Sequence, residues 1–212
     1  MKQNNKTVPV IAITGGIACG KSTVALHLNE IGFPVIDADM VSKEITEDGA
    51  PVLKEISAIL GEKYVSNNHL NRKALAKDVF SDVAMRQKLN ALLHPLIYDV
   101  LHKRICSQAS RNNTPIFLDI PLVFEFHFSD LVDEIWTIDI PEEMQLKRLI
   151  DRNGLNEKDA LDRIHSQISR QERNEKSDLV ILNDGSINDL INKIDKIIIE
   201  RGYIVDASSS VI

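Results

Sequence analysis

Gly15-Gly16-Ile17-Ala18-Cys19-Gly20-Lys21-Ser22-Thr23 is preceded by Val8-Pro9-Val10-Ile11-Ala12-Ile13-Thr14 and followed by Val24-Ala25-Leu26-His27-Leu28-Asn29-Glu30-Ile31. The first flank is an apolar, β-branched run of strand length. The second sets Val24, Leu28 and Ile31 at helical spacing and stops at Gly32. Gly15-x-x-x-x-Gly20-Lys21-Ser22 therefore joins a strand to a helix, the context in which this pattern forms a phosphate-binding P-loop. Its four fixed positions arise by chance in roughly one chain in a hundred of this length, and the strand and helix context lowers that further.

The chemistry explains the residue types. Gly15, Gly16 and Gly20 let the backbone turn its N–H groups toward phosphate oxygens. The helix that starts near Gly20 adds its positive end. Ala18, Cys19 and Thr23 complete the backbone cradle. Lys21 can reach the β- and γ-phosphates, and the Ser22 hydroxyl can ligate Mg²⁺. ATP and Mg²⁺ are thus the expected co-substrate and metal.

Composition narrows the class. The 212 residues suit one large domain or a core with an inserted lobe. A net charge of -6 makes nucleic acid an improbable partner, so phosphate must be met by local positive sites. No apolar run approaches the roughly 18 residues of a membrane span, and polar Met1 to Thr7 does not resemble a signal peptide. Cys19 and Cys106 make neither a disulfide framework nor a metal site. A cytosolic location is expected. No sequence signal fixes an oligomeric state.

Working outward, five β-like runs stand out: Val8–Thr14, Pro34–Ile36, Ile116–Leu118, Ile135–Ile138 and Leu179–Leu182. Helical patterns separate them, which predicts an α/β fold with a five-stranded parallel sheet flanked by helices. The last four runs end at Asp37, Asp119, Asp139 and Asn183. Ligands of such sheets bind beyond the carboxyl ends of the strands, so several of these side chains should face the phosphates.

Residues 40–113 carry no convincing strand. Val52, Leu53, Ile56, Ile59 and Leu60 predict a helix stopping at Gly61. Leu75 and Val79 predict another after Asn71, and Leu89, Leu92 and Leu93 a third that ends at His94, because Pro95 follows. Pro95 would open a fourth helix through Ile105. A helical stretch of about 70 residues is too long for a simple crossover and suggests a substrate-binding insertion. Residues 141–176 form a second helical insertion. Pro141 opens a helix that Arg152-Asn153-Gly154 breaks, and Asn156 caps a helix with Leu161, Ile164 and Ile168. The segment holds Arg148, Arg152, Arg163, Arg170 and Arg173 at zero formal charge. It is either a salt-bridged face or a lid that closes arginines over the transferring phosphoryl. The expected organisation is a P-loop core of residues 1–39, 114–140 and 177–212, a lobe of 40–113 and a lid of 141–176. A helix from Asn188 to Glu200 packs on the sheet.

Several P-loop classes compete. Asn192-Lys193-Ile194-Asp195 matches a guanine-binding pattern, but it falls within a helix, and Asp119-Ile120-Pro121-Leu122 lacks the Asp-x-x-Gly of GTPases. Small-molecule kinases place a carboxylate after the second strand. Asp37-Ala38-Asp39 stands there, and one of its carboxylates can accept the proton of the attacking alcohol. Asp39 could alternatively be a helix cap.

These landmarks together resemble the dephospho-CoA kinase family from about residue 9 to about residue 200. They are Thr14-Gly15-Gly16-Ile17, Val35-Ile36-Asp37-Ala38-Asp39, Leu89-Asn90-Ala91-Leu92-Leu93-His94-Pro95-Leu96-Ile97 and Asp119-Ile120-Pro121-Leu122-Val123-Phe124-Glu125. Gln145-Leu146-Lys147-Arg148-Leu149, Arg163-Ile164-x-x-Gln167 and Asp178-Leu179-Val180-Ile181 with Asn183-x-Gly185 follow. The resemblance implies ATP-dependent phosphorylation of the ribose 3′-hydroxyl of dephospho-CoA. It implies Asp39 as base or orienter of that hydroxyl, Arg148 as the lid arginine, and Asn183 and Gly185 beside the adenine. It also implies Asp37, His94 and Arg163 on the substrate, with residues 40–113 holding the CoA moiety. His94 could instead sit at a helix C-terminus, favoured by the dipole. Glu125 could bond a loop backbone or a substrate. A nucleoside or nucleotide monophosphate kinase and an ATP-binding sensor remain as alternatives.

The chain departs from the family inside the loop, where Ala18-Cys19 replaces a pair such as Gly-Ser. A Cβ at Ala18 predicts a right-handed conformation. Cys19 near a helix N-terminus could have a lowered pKa and oxidise easily.

Overall fold

The computed structural model of the chain describes residues 8–111, 113–125 and 128–205. Among them run β1 (Val10–Gly15), α1 (Lys21–Glu30), β2 (Val35–Asp37), α2 (Ala38–Ile45), α3 (Val52–Leu60), β3 (Val65–Ser66), β4 (His69–Leu70), α4 (Arg72–Ser81) and α5 (Val83–Ala109). There follow β5 (Ile116–Asp119), β6 (Glu134–Asp139), α6 (Glu142–Asn153), α7 (Glu157–His165), α8 (Arg170–Glu175), β7 (Leu179–Leu182) and α9 (Ile187–Glu200). The chain divides into two compact units. One comprises the described residues through Asp37 and those from Arg104 onward; the other is Ala38–Lys103.

The first unit is built on a parallel sheet in the order β2-β5-β1-β6-β7. β1 is central and buried on both faces, which is why it reads as an unbroken apolar run. Registers Ile13↔Asp119, Asp37↔Asp119 and Gly15↔Ile138 align the carboxyl ends of four strands. The loop after β1 therefore opens beside Asp37, Asp119 and Asp139. Val24 and Leu28 of α1 and Leu190, Ile194 and Ile198 of α9 cover the sheet around fully buried Trp136. Phe117 meets Phe33 at 5.4 Å and Trp136 at 5.5 Å between ring centres, and Tyr203 stacks on Trp136. Each such side chain removed from water contributes about 1.5–3 kcal/mol or more. That makes this layer the rigid base of the loop.

The second unit packs Val52, Leu53 and Ile56 of α3 against Leu89, Leu92 and Leu93 of α5. Asn71 caps α4 by accepting the Ala74 N–H at 3.1 Å. Arg72 then donates to the Lys43 and Thr46 carbonyls, at 3.1 and 2.9 Å, and closes the end of α2. β3 and β4 form a hairpin that the sequence analysis did not anticipate. Its turn is Asn67-Asn68, both left-handed at φ 51° and 61°, the conformation of a two-residue hairpin turn.

Two helix boundaries differ from expectation. α5 does not end at His94 but continues through Pro95. Proline inside a helix forfeits a hydrogen bond and costs about 3 kcal/mol. Packing on both sides outweighs that cost: Leu89, Leu92 and Leu93 are anchored before it, and Ile97, Leu101 and Ile105 are buried after it. His94 is thus mid-helix, away from the C-terminal end where the dipole would favour it. Ile168 lies outside α7, which stops at His165, and Ser169 caps the separate α8 by accepting the Glu172 N–H.

Candidate active site

The loop is built from its two ends. β1 delivers Gly15, and α1 begins at Lys21 behind Gly20. Gly20 adopts φ 97°, where a side chain is strained, and a Cβ there would lie 2.5 Å from the Asn183 Nδ2. Glycine is therefore required. It also leaves α1 without a side-chain cap, unlike the helices capped by Asn71, Asn156, Ser169 and Ser186. The first N–H groups of a helix have no partner within it. At Lys21 and Ser22 such groups and the dipole lie at the end of the loop, an anion site of general kind. The Thr23 N–H turns back to the Gly20 carbonyl at 3.0 Å.

Ala18 contradicts the expected right-handed conformation: its φ is 62°. For a residue with a Cβ this costs roughly 1–2 kcal/mol. The neighbours account for it. Ile17 and Ala18 pack against the cluster of Leu149, Ala160 and Ile164. The Ile17 N–H donates to the Gln167 Oε1 at 2.8 Å, and the Cys19 N–H to the Gly16 carbonyl at 3.1 Å. Contacts on either side fix the peptide that Ala18 must connect.

Cys19 also departs from expectation. It is 3 % exposed, and burial pushes its thiol pKa up, over the lowering effects of its hydrogen bond to the Lys21 backbone and of the Lys21 charge. The sulfur is a packed small apolar group, not a sensitised thiolate. Its carbonyl accepts from the Asn183 Nδ2 at 2.8 Å in a buried contact.

Lys21 is ion-paired with Asp119, the last residue of β5, and both side chains are largely buried. Asp37 ends β2 beside it in register. Ser22 next to Lys21 is exposed. A hydroxyl and a carboxylate thus flank the open helix end. Asp139 is committed differently: Arg170 grips it through Nε at 2.8 Å and Nη2 at 2.6 Å. The carboxylate, largest of the influences, raises the Arg170 pKa.

The arginine-rich segment packs against the loop. Gln145 and Arg173, only 3 % and 6 % exposed, press on Gly16. Burial lowers the Arg173 pKa, though a guanidinium stays charged. Its Nη1 donates to the Ile168 carbonyl at 3.3 Å. Glu125 accepts the Ile168 N–H at 3.2 Å, so it bonds a loop backbone. Arg148 on α6 donates to the Asn183 carbonyl at 3.2 Å. A cavity of about 380 Å³ opens beside these groups, lined by Gln145, Gln167, Ser169, Arg170 and Arg173 among others.

The structure thus brings Gly15, Gly16, Ala18, Cys19, Gly20, Lys21, Ser22, Thr23, Arg148 and Asn183 together. Asp37 borders them. Gly185 lies in the turn before α9, pressed by Asp189. Arg163 is half-buried on α7. Asp39, exposed in the first turn of α2, and His94, on α5, belong to the second unit. The contacts of Gln145 and Gln167 with the loop were not readable from the sequence. One signal was nevertheless present: Gln145 stands four residues before buried Leu149, a polar residue on an apolar helix face.

Comparison with known proteins agrees with this architecture. A family model for dephospho-CoA kinase matches residues 9–189. A dephospho-CoA kinase of Carboxydothermus hydrogenoformans is 41% identical over 181 residues, covering 85% of this chain and 88% of its own. One of Staphylococcus epidermidis is 36% identical over 200 residues, 94% and 98% of the two chains. Among solved structures, a Thermus thermophilus protein shares 31% identity at a TM-score of 0.75, covering 91% of this chain and 97% of its own. The dephospho-CoA kinase of Campylobacter jejuni shares 29% at 0.62, covering 92% and 97%. A match along most of the sequence and the whole sheet-and-loop architecture leaves one assignment: the chain belongs to the dephospho-CoA kinase family.

Proposed function

We propose that the chain transfers the γ-phosphoryl group of ATP to the ribose 3′-hydroxyl of dephospho-CoA, giving CoA and ADP, the last step of coenzyme A synthesis. Family membership supports the substrate. The observation that carries the phosphoryl chemistry is the uncapped start of α1, with Lys21 poised on Asp119 beside it. Such transfer needs positioning and charge neutralisation more than covalent help from the protein.

Lys21 exchanges Asp119 for β- and γ-phosphate oxygens when ATP binds. The backbone from Gly15 to Thr23 holds the phosphates. Among the described residues no group of three or more His, Cys, Asp or Glu could cage a metal. The donor set beside the loop instead fits Mg²⁺, which takes one or two carboxylates plus phosphate oxygens. Ser22 would supply its hydroxyl and Asp119 the released carboxylate. Held there, Mg²⁺ would supply charge neutralisation for the phosphate oxygens. Asp39 takes the proton of the 3′-hydroxyl, and Arg148 meets the charge of the transferring group. Asp37, His94 and Arg163 hold the acceptor, residues 40–113 receive its CoA moiety, and Asn183 and Gly185 border the adenine. The described residues include no helix long and apolar enough to cross a membrane.

The test is ADP release with Mg-ATP against dephospho-CoA, adenosine, AMP, CMP and shikimate. Turnover with dephospho-CoA alone is expected, and turnover with a nucleotide instead discards the substrate assignment. Asp39→Asn should lower kcat about 10²- to 10⁴-fold, the usual contribution of a general base, with ATP still bound. Near-normal kcat in that variant removes Asp39 from the base role.

A further inference from the structure

Ala18 occupies a backbone conformation that glycine adopts freely and alanine does not. Something outside the loop must hold it there. The group in direct contact is the side-chain amide of Gln167, whose Oε1 accepts the N–H of Ile17, the residue immediately before Ala18. Gln167 is not a loosely placed surface residue. Its own N–H is bonded to the Ile164 carbonyl at 3.3 Å. The next residue, Ile168, is held from both sides: Glu125 accepts its N–H and Arg173 donates to its carbonyl. The acceptor is thus fixed before the loop meets it. On the other side of Ile17, Gly16 is pressed by the buried Gln145 and Arg173, where a Cβ would fall 2.6 and 2.9 Å from their nitrogens.

From this geometry we infer that Gln167 is a positioning residue for nucleotide binding. Its amide oxygen accepts the N–H of the residue immediately before left-handed Ala18. It thereby holds Ala18 in the left-handed conformation from which the chain turns, through the Cys19 N–H bonded to the Gly16 carbonyl, into Gly20 and the start of α1. It acts through the loop and does not touch the phosphates. Because glycine adopts that turn without help, the alanine at position 18 deepens the dependence of the loop on Gln167. The inference rests on the ATP-binding role proposed above for the loop, not on the identity of the acceptor.

The prediction is a coupling between positions 18 and 167. Calorimetric titration with Mg-ATP and, separately, with dephospho-CoA is made on the wild type, Gln167→Leu, Ala18→Gly and the double variant. Gln167→Leu should weaken Mg-ATP binding about tenfold and leave dephospho-CoA binding within about twofold. In the Ala18→Gly background the same change should weaken Mg-ATP binding about threefold or less. Equal losses in both backgrounds, or equal losses for both ligands, overturn the inference. Gln167 is half-buried, so its removal seals no void. Should the leucine variant be insoluble, Gln167→Ser, too short to reach Ile17, takes its place under the same criteria. If the wild type binds Mg-ATP but not dephospho-CoA, the substrate assignment fails while the coupling is still decided by the Mg-ATP titrations.

Discussion

Replacing Asn183 by leucine separates a structural role of this residue from a role at the adenine. The amide nitrogen of Asn183 donates to the Cys19 carbonyl at 2.8 Å, and the contact is buried. Leucine keeps the branched heavy-atom skeleton, with somewhat more bulk, and deletes the donor. The Cys19 carbonyl then stays buried without a partner, which costs about 1–3 kcal/mol. At about 2 kcal/mol, and with the sensitivity of a chain this size, Tm should fall by roughly 4–8 °C. The same carbonyl lies one residue before Gly20, against which Asn183 packs. If the whole penalty were drawn from the phosphate-binding conformation, ATP affinity would fall by at most about 30-fold. Thermal unfolding and the KM for ATP, measured with dephospho-CoA saturating, give the two numbers. A residue that only bordered adenine would raise KM and leave Tm alone. A variant with Tm within 1 °C of wild type would refute the idea that this hydrogen bond supports the loop.

Other consequences follow from burial and charge. Under native conditions maleimide should modify one thiol per chain, exposed Cys106, and leave buried Cys19 untouched until unfolding. Rapid native labelling of Cys106→Ser would show that Cys19 is accessible after all. In the capping box of α9, hydrogen bonds from the Ser186 hydroxyl and then its backbone N–H hold the Asp189 carboxyl below the usual carboxylate range. A depressed folded pKa gives stability that is present above the unfolded value of about 4 and lost as pH falls through the folded one. The Tm difference between wild type and Asp189→Ala should therefore shrink between pH 7 and about pH 3. An unchanged difference would show that the carboxylate charge is irrelevant. Pro95→Ala should restore an N–H to α5 and raise Tm by a few degrees, since the proline side chain is exposed and contributes little packing. A fall in Tm would show that the ring packs or bends the helix favourably.

The sheet and the loop were legible because their signals are local. An apolar strand, a glycine pattern and an amphipathic helix each reveal themselves within about ten residues, and all five strands of the parallel sheet carried such runs. The cap at Asn156 and the start of a helix after Asn71 were readable for the same reason. What escaped depended on distance. Pro95 is a local stop signal overruled by leucines packed on α3 and isoleucines buried further along. The Asn67-Asn68 hairpin was hidden by strands of two residues, too short to show alternation. At the site, Lys21 and the strand-end carboxylates could be named from spacing, but not which carboxylate Lys21 would take. Asp119 and Asp139 end β5 and β6, the strands on either side of β1, and only the fold gives one to Lys21 and the other to Arg170. Glu125 and Gln167 contact residues 43 and 150 positions away, and no window along the chain contains both partners.

Ala18 brings the local and distant influences into conflict. Local chemistry favours a right-handed alanine, and the same rule correctly identifies Gly20 as a position that needs glycine. The loop adopts the left-handed turn at both. At Gly20 the backbone needs no outside help; at Ala18 the strain must be offset by contacts with Gln167 and the Leu149 cluster. Those contacts come from the segment between β6 and β7, which carries five of the ten arginines. The shape of the phosphate cradle and the placement of that segment are therefore not independent. A change that loosens α7 or the turn after it relaxes the constraint on Ala18, and the cost falls on the loop before any arginine is displaced. Disturbing Ile164, which packs under Ile17, should accordingly weaken ATP binding even though its side chain carries no polar group and meets the loop only through packing.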